Sequence, residues 1–196
     1  ICTNFMSAVM RSSRRLKTAE KGTLKMLSEK IQQVLNKQLN AEFHSAYTYL
    51  SLAAYFEDLD LNGFAHWMKI QYQEELLHAD KIYTFINNRD ARVILEPLAA
   101  PRAEWASPLE AFKSALANEQ ALSQKIYEVV DEALQERDHA THAFMQWFVN
   151  EQVEEEAIVR DIVSDIERVI ESKDGLFLMD RDLAGRTPQV GQESPA

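Results

Sequence analysis

Two potential metal ligands lie in the stretch QYQEELLH at residues 71–78. Glu75 and His78 are three residues apart, so on a helix their side chains would lie on the same face. That face is otherwise a core seam, with steps of three and four residues joining Phe64, Met68, Gln71, Glu75, His78, Ile82 and Phe85. A carboxylate and an imidazole in such a seam need compensation for the loss of water. Taken alone, the pair is better interpreted as two hydrogen-bonded core residues than as a metal site.

Three further acids occupy equivalent places elsewhere in the chain. Glu42, Glu119 and Glu155 each interrupt an apolar seam several turns from both ends of a predicted helix. In an antiparallel bundle such mid-helix positions meet at one level, so four carboxylates, including Glu75, would be packed together. Like charges in one site repel and take up protons unless cations compensate them. Four ionised carboxylates balance two divalent cations, which indicates a di-metal carboxylate site of the kind found in helical bundles.

The types of donor atom restrict the metal. Oxygen-rich ligation with a single imidazole favours Fe, Mn or Zn over Cu. Tyr49 lies two turns after Glu42 on the same face, and its oxidisable ring favours a redox metal, although buried tyrosines are also common for packing alone. Three more acids lie beside the four mid-helix glutamates. Their positions are explained equally well by binding of a third ion and by a solvated helix face. They are Glu74, Glu151 and Glu154.

The elements that position these residues are predicted to be helices. The 196 residues include only five Gly and five Pro, and such a composition favours an all-helical chain. The apolar periodicity predicts four long helices that begin near residues 28, 64, 108 and 138. The short turn at 58–63 makes the first two an antiparallel hairpin. Residues 93–108 hold three prolines and predict a long crossover to the second hairpin. Ser107, Pro108 and Glu110 form a capping-box signal for the third helix. A break at Asp174–Gly175 precedes a short fifth helix at 175–183.

Composition excludes several classes of protein. A net charge of −10 argues against nucleic acid as a partner and fits a surface that attracts cations. No apolar run is long enough to cross a membrane. The single Cys2 excludes internal disulfides and thiolate metal clusters. We expect one domain at 27–185, a flexible tail at 186–196 and an N-terminal extension at 1–26. The extension is basic and rich in Ser and Thr, so it is either a transit peptide or, as we prefer, a disordered or cloning-derived segment.

Four segments carry a resemblance to a known family: NAEFHSAYTYL, QEELLHADK, EPLAAPRAEWASPLEAF and QWFVNEQVEEE. In this order and spacing they resemble non-haem ferritins of the prokaryotic type, within the ferritin-like di-iron superfamily. The resemblance covers roughly residues 27–185. It implies an all-α, ferritin-like antiparallel four-helix bundle with a long crossover between the second and third helices and a short fifth C-terminal helix.

The resemblance also implies an activity and an assembly. The expected function is iron storage with ferroxidase activity, in which dioxygen or peroxide oxidises Fe(II) and a ferric mineral collects inside a homo-oligomeric, 24-subunit cage. The expected location is the cytoplasm, or an organelle if residues 1–26 are a transit peptide. By position, Glu42, Glu75 and His78 would bind the first of two irons in each subunit. Glu75 would bridge to the second iron, held with Glu119 and Glu155.

Further positions refine the resemblance. Gln152 and Tyr49 match residues beside the iron pair, and an additional acidic iron site is matched by Glu74, Glu151 and Glu154. Gln152-x-x-Glu155 stands where bacterioferritins and rubrerythrins usually carry a second Glu-x-x-His. Leu76 stands where bacterioferritin has its haem-binding Met, so no haem is expected. With only Cys2, the cysteine-ligated iron of rubrerythrin is not expected either.

Alternative functions stay open on the sequence alone. The chain could be a storage or detoxification cage with little dedicated catalysis, in which iron is oxidised slowly at scattered acids. It could also be a bacterioferritin-like di-iron protein, or a scaffold bundle whose acids bind Zn or nothing.

Overall fold

The computed structural model describes residues 27–188, and the regular structure of this range is entirely α-helical. Five helices follow one another: α1 (Glu29–Asp58), α2 (Asn62–Asn88), α3 (Pro108–Gln135), α4 (His139–Val169) and α5 (Lys173–Leu183). Within residues 27–188, no helix combines the length and the apolarity needed to span a bilayer. The predicted extension at 1–26, and the predicted tail beyond residue 188, lie outside the described residues.

Side-chain caps fix where the long helices begin. Ser28 Oγ accepts a hydrogen bond from the Ile31 amide, and Ser107 Oγ accepts one from the Glu110 amide, both at 3.2 Å. These caps satisfy amides that have no partner inside the helix. The predicted capping box differs in one detail, because Glu110 Oε2 accepts from the amide of Ala106 rather than from that of Ser107.

The predicted break at Asp174–Gly175 is wrong by a few residues. The chain leaves α4 after Val169, and Ser172 caps α5 by accepting a hydrogen bond from the Gly175 amide at 3.1 Å. Gly175 therefore lies in the first turn of α5. The Ser172 cap supplies an acceptor to an amide that has no partner inside the helix, and so it favours a helix start before Gly175.

Neighbouring helices run antiparallel. α1 packs against α2 and α3, and α3 packs against α4. Lys30, near the start of α1, forms an ion pair of 3.3 Å with Glu136, just after the end of α3. Phe85, near the end of α2, stacks on Phe144, near the start of α4, with ring centroids 3.9 Å apart. The predicted four-helix bundle with a short fifth helix is confirmed.

The crossover between α2 and α3 runs along α1. Asn36 Oδ1 accepts a hydrogen bond from the Ile94 amide at 2.6 Å, and Asn40 Nδ2 donates to the Ile94 carbonyl at 2.8 Å. Further along α1, Ser51 Oγ donates to the Arg102 carbonyl at 2.7 Å. At 1.5 Å of rise per residue, this contact line extends for about 20 Å. The predicted long crossover is therefore confirmed, and buried asparagines supply the partners that its backbone lacks.

The core of the bundle consists of two apolar clusters. One includes Phe56, Phe64, Phe112 and Ile166, and the other includes Leu35, Ile82, Ile126 and Phe148. On each of the four long helices, one predicted acid lies in the stretch between the two clusters. A polar layer thus divides the core at mid-height, and apolar packing closes it on both sides.

α5 docks on the start of α2 through one carboxylate. Asp180 Oδ1 accepts hydrogen bonds from the amides of Gly63 and Phe64, at 2.7 and 3.1 Å. These amides belong to the first turn of α2, whose N-cap Leu61 offers no side-chain acceptor. A Cβ on Gly63 would lie 1.6 Å from the Asp180 carbonyl oxygen. Only glycine at position 63 allows α5 to approach this closely.

Gly63→Ala should displace α5. We expect the free energy of unfolding to fall by about 2 kcal/mol, since two hydrogen bonds to a charged acceptor are lost. Chemical denaturation measures the stability, and limited proteolysis of α5 measures its docking. Asn62→Ala, at the exposed neighbouring residue, is the control and should leave both unchanged. Parent-like protease resistance of α5 in Gly63→Ala would contradict this docking.

Candidate metal centre

Each long helix contributes one acid to the polar layer: Glu42 from α1, Glu75 from α2, Glu119 from α3 and Glu155 from α4. Their relative exposures are 1%, 0%, 0% and 6%. His78, one turn after Glu75 on α2, is 4% exposed. The five predicted ligands of the pair are therefore all buried at the same level of the bundle.

The five side chains form two groups of donor atoms with one shared member. Glu42, Glu75 and His78 offer one ligand atom each within 4.8 Å of one another, and so do Glu75, Glu119 and Glu155. Glu75 belongs to both groups. Two adjacent triads with a common carboxylate are the geometry that a bridged pair of metal ions requires.

Neutral side chains hold at least one oxygen of each carboxylate. Gln38 donates to Glu42 Oε1 at 2.7 Å, Ser45 to Glu75 Oε1 at 2.8 Å, and Gln71 to Glu155 Oε1 at 2.8 Å. Glu119 is held on both oxygens, by the Tyr49 hydroxyl on Oε1 and by Gln152 Nε2 on Oε2 at 3.2 Å. These contacts orient the carboxylates without adding charge to the layer.

Three carboxylate oxygens in the layer are buried without a hydrogen bond from the described residues. They are the Oε2 atoms of Glu42, Glu75 and Glu155. A buried acceptor left without a partner is unfavourable by about 1–3 kcal/mol, and more for a charged group. Each of these three glutamates belongs to a donor triad, and oxygen donors with one imidazole are a set that Fe(II) accepts. The residues present therefore fit metal ions of this class.

Aromatic rings fix the imidazole of His78. Trp147 and Phe148 of α4 meet the His78 ring edge-on, with centroid distances of 5.3 and 6.0 Å. Nδ1 lies 3.5 Å from Glu75 Oε2. The imidazole can therefore rotate little without losing packing on α4.

Burial opposes ionisation in the layer. It raises the pKa of Glu75 well above the usual range, and the charges of Glu119 and Glu42 raise it further. The pKa of Glu155 is likewise raised by burial and then by Glu119. Burial raises the pKa of Glu119 to about 7, although hydrogen bonds from Tyr49 and Gln152 lower it. Without cations, the layer keeps protons that a metal ion would displace.

The three acids predicted to hold a third ion are arranged differently from the pair. Among residues 27–188, the third metal-compatible group consists of His78, Glu151 and Glu155. Glu74 instead forms a buried ion pair with Arg186, and Glu154 is exposed. Glu74 and Glu154 line one small cavity together with Glu155, and binding of a third ion by Glu74, Glu151 and Glu154 stays a prediction.

Sequence reasoning missed the residues that orient the ligands. Gln38, Ser45 and Gln71 lie in the same apolar seams as the acids, but their types are also ordinary core fillers. Gln38 precedes Glu42 by four residues, a spacing at which an amide can reach a carboxylate on the same helix face. That spacing was the available signal. Arg186 was expected in a loose tail, and instead it reaches the edge of the polar layer.

Comparison with known proteins identifies relatives. The sequence model of the ferritin-like domain matches residues 32–169. Bacterial non-heme ferritins from Staphylococcus saprophyticus and Staphylococcus aureus are both 36% identical over 162 residues, which is 83% of this chain and 97% and 98% of theirs. An open-pore ferritin from the hyperthermophilic archaeon Archaeoglobus fulgidus superposes with a TM-score of 0.82 at 45% identity, over 84% of this chain and all of that one. An engineered closed form of that ferritin superposes with a TM-score of 0.81, over 82% of this chain and 98% of that one.

Stability of the metal-free protein should decrease as pH rises. The pKa of Glu119 is about 7 in the folded protein, against 4.5 for an ordinary Glu. As pH rises, Glu119 therefore loses its proton at a lower pH in the unfolded chain than in the folded protein. The stabilising contribution is complete below about pH 4.5 and is lost as pH rises to about 7. Its size is about 3 kcal/mol.

Glu119→Gln tests this effect, because glutamine resembles the protonated acid and does not titrate. Guanidinium denaturation in the presence of a chelator at pH 4.5 and at pH 8 should show a smaller loss of stability in the variant than in the parent. Glu128→Gln, at an exposed position of the same helix, should retain the parent's pH dependence. An equal pH dependence of Glu119→Gln and parent would contradict the shift.

Proposed function

This chain belongs to the ferritin-like family of iron-storing proteins, and we propose that it oxidises Fe(II) to Fe(III) at a pair of metal positions inside each subunit. The observation that supports this proposal most directly is the pair of buried donor triads that share Glu75. Fe(II) is the substrate, the ferric product is the stored cargo, and dioxygen or peroxide is the oxidant.

Charge balance supports two ions per subunit. The four carboxylates carry four negative charges once ionised, and two Fe(II) ions carry four positive charges. His78 adds a neutral donor on one side, so the first position takes Glu42, Glu75 and His78, and the second takes Glu75, Glu119 and Glu155. Oxidation adds two positive charges to this balanced site. Oxide or hydroxide from the reduced oxidant and water would restore neutrality, and the ferric product neutralised in this way is easier to displace towards storage.

The chain's own residues prepare the site for electron transfer. Bound side by side, two Fe(II) ions supply two electrons to one molecule of oxidant. Gln38, Ser45, Gln71 and Gln152 keep the carboxylates in place, so little reorganisation is needed when the ions bind. The two apolar clusters limit access of water from above and below the layer.

Tyr49 is the residue beside the pair that can itself be oxidised. Its hydroxyl donates to Glu119 Oε1. Burial raises its pKa well above the usual range, and the charges of Glu119 and Glu75 raise it further, so the phenol stays protonated. We assign Tyr49 the role of holding Glu119 and of supplying an electron next to the second metal position.

We further propose that the subunits form a homo-oligomeric, 24-subunit cage. The similar Archaeoglobus fulgidus ferritin is an open-pore ferritin for which a closed form has been engineered, and this supports a hollow assembly for the present chain. A cage separates the ferric product from solution, which gives the oxidation step a storage function.

Glu75→Ala and His78→Ala test the oxidation site. Glu75→Ala removes the shared ligand, and His78→Ala removes the imidazole of the two triads that share Glu75. The initial phase of aerobic Fe(II) oxidation should therefore slow at least tenfold in each variant. Stopped-flow absorbance of the ferric product measures the rate, and size-exclusion chromatography verifies the assembly. Asp80→Ala, at an exposed carboxylate on the same helix, is the control and should oxidise Fe(II) at the parent rate.

The same experiment distinguishes a storage cage without a dedicated site. If oxidation occurs at scattered surface acids, Glu75→Ala will keep the parent rate and load the same amount of iron. That result would refute the assignment of the paired triads, while leaving the family membership intact.

A further inference from the structure

A chain of hydrogen bonds leads from the buried Glu119 carboxylate to the surface of α4. Gln152 Nε2 lies 3.2 Å from Glu119 Oε2, to which it donates, and 3.3 Å from Ser123 Oγ. The Ser123 hydroxyl in turn donates to Glu156 Oε1 at 2.6 Å. Gln152 and Ser123 are buried, whereas the Glu156 side chain is 21% exposed. Among the described residues, no metal-compatible group includes Glu156, so its place at the end of this chain has another explanation.

The hydrogen bonds of the chain have a fixed direction. A carboxylate such as that of Glu156 only accepts, whereas a hydroxyl has one proton to donate and lone pairs with which to accept. The single hydroxyl proton of Ser123 is directed at Glu156, in a short hydrogen bond to a charged acceptor. Ser123 Oγ therefore offers Gln152 a lone pair, and the NH2 end of the Gln152 amide turns towards it.

The orientation of the Gln152 amide decides which group faces Glu119. The two ends of a glutamine amide are alike in shape but opposite in hydrogen bonding, because one end is NH2 and the other is a carbonyl oxygen. With the NH2 end inward, Gln152 donates to Glu119 Oε2 and, at 3.1 Å, to the Glu119 backbone carbonyl. With the carbonyl oxygen inward, the amide would repel the carboxylate that belongs to the second metal position.

Ser123 would have other acceptors if Glu156 were absent. It follows Glu119 by four residues on α3, and a serine in a helix can donate to the backbone carbonyl four residues earlier. The hydroxyl would then compete with Gln152 for the Glu119 carbonyl, or it would donate to the carbonyl oxygen of a reversed Gln152 amide. Either change would weaken the contact between Gln152 and the Glu119 carboxylate.

We propose that Glu156 is a positioning residue for the second metal position. By accepting the hydrogen bond of Ser123, it keeps the NH2 end of the Gln152 amide turned towards Glu119. Partners of this kind orient a metal ligand before the ion binds. The first metal position shares only Glu75 with the second and has no part in this chain, so its affinity does not depend on Glu156. The inference rests on the proposed function, because it presupposes two ions in each subunit.

Calorimetric titration of the metal-free assembly with Zn²⁺ tests the proposal without oxidation chemistry. The parent should bind two ions per subunit, and the binding event that Glu119→Ala abolishes identifies the second metal position. Glu156→Leu removes the acceptor of the Ser123 hydroxyl. It should lower the affinity of the second position at least about tenfold, as is typical when a metal ligand loses its partner. The first position should keep the parent affinity.

Glu156→Gln is the matched control, because it removes the same negative charge but keeps an oxygen that can accept from Ser123. It should bind both ions like the parent. Asp161→Leu, at an exposed acid of the same helix, should also bind like the parent. In a Ser123→Ala background, Glu156→Leu and Glu156→Gln should no longer differ, since Glu156 acts through Ser123.

Three outcomes of the titration would overturn the proposal. They are a parent-like affinity of the second position in Glu156→Leu, an equal weakening of both positions in that variant, and an equal loss in Glu156→Gln, which would indicate an effect of charge alone. A parent that binds no ion pair would instead refute the proposed function, so the two failures are distinguishable.

Neutron diffraction from crystals of the unaltered, deuterated protein without metal gives a second test that does not depend on how a variant folds. The deuterium of the Ser123 hydroxyl should point towards Glu156 Oε1, and the Gln152 amide atom nearest Ser123 should carry two deuterium atoms. A Ser123 deuterium directed at Gln152 or at the Glu119 carbonyl would overturn the proposal.

Discussion

The burial of four carboxylates in the middle of a four-helix bundle is the constraint on which the rest of the structure depends. Removing a charged group from water costs several kcal/mol unless an opposite charge compensates it. Here the pKa of Glu75, Glu119 and Glu155 is raised by burial, so the layer is protonated or bound to cations. The apolar clusters above and below the layer stabilise the fold, and this stabilisation offsets the unfavourable burial of the carboxylates.

The same constraint explains which side chains are potential metal ligands and which side chains hold those ligands. Carboxylates and His78 supply donor atoms, whereas amides and hydroxyls hold them without adding charge. A charged clamp would either neutralise a ligand or repel an incoming cation. Arg186 is the exception at the edge of the layer, where its positive charge forms an ion pair with Glu74. Arg186 reaches this edge because α5 is docked on α2, so the short fifth helix contributes to the surroundings of the polar layer.

The acids were predictable because each interrupts an apolar repeat within its own helix. The bundle, the crossover and the fifth helix followed from periodicity, prolines and short turns. The break at Asp174–Gly175 was misplaced because Ser172 caps a helix that includes Gly175. Gln71 could not be assigned a partner, since Glu155 lies 84 residues further along the chain. Arg186 depends on a contact between Asp180 and Gly63, which no local pattern encodes.

In the proposed site, two metal positions share the Glu75 carboxylate. Crystals soaked anaerobically with Fe(II) and measured on both sides of the iron absorption edge locate the ions directly. We expect two anomalous peaks in each subunit, one contacted by Glu42 and His78, the other by Glu119 and Glu155, with Glu75 contacting both. A single peak in the layer, or iron bound only at surface acids, would contradict it.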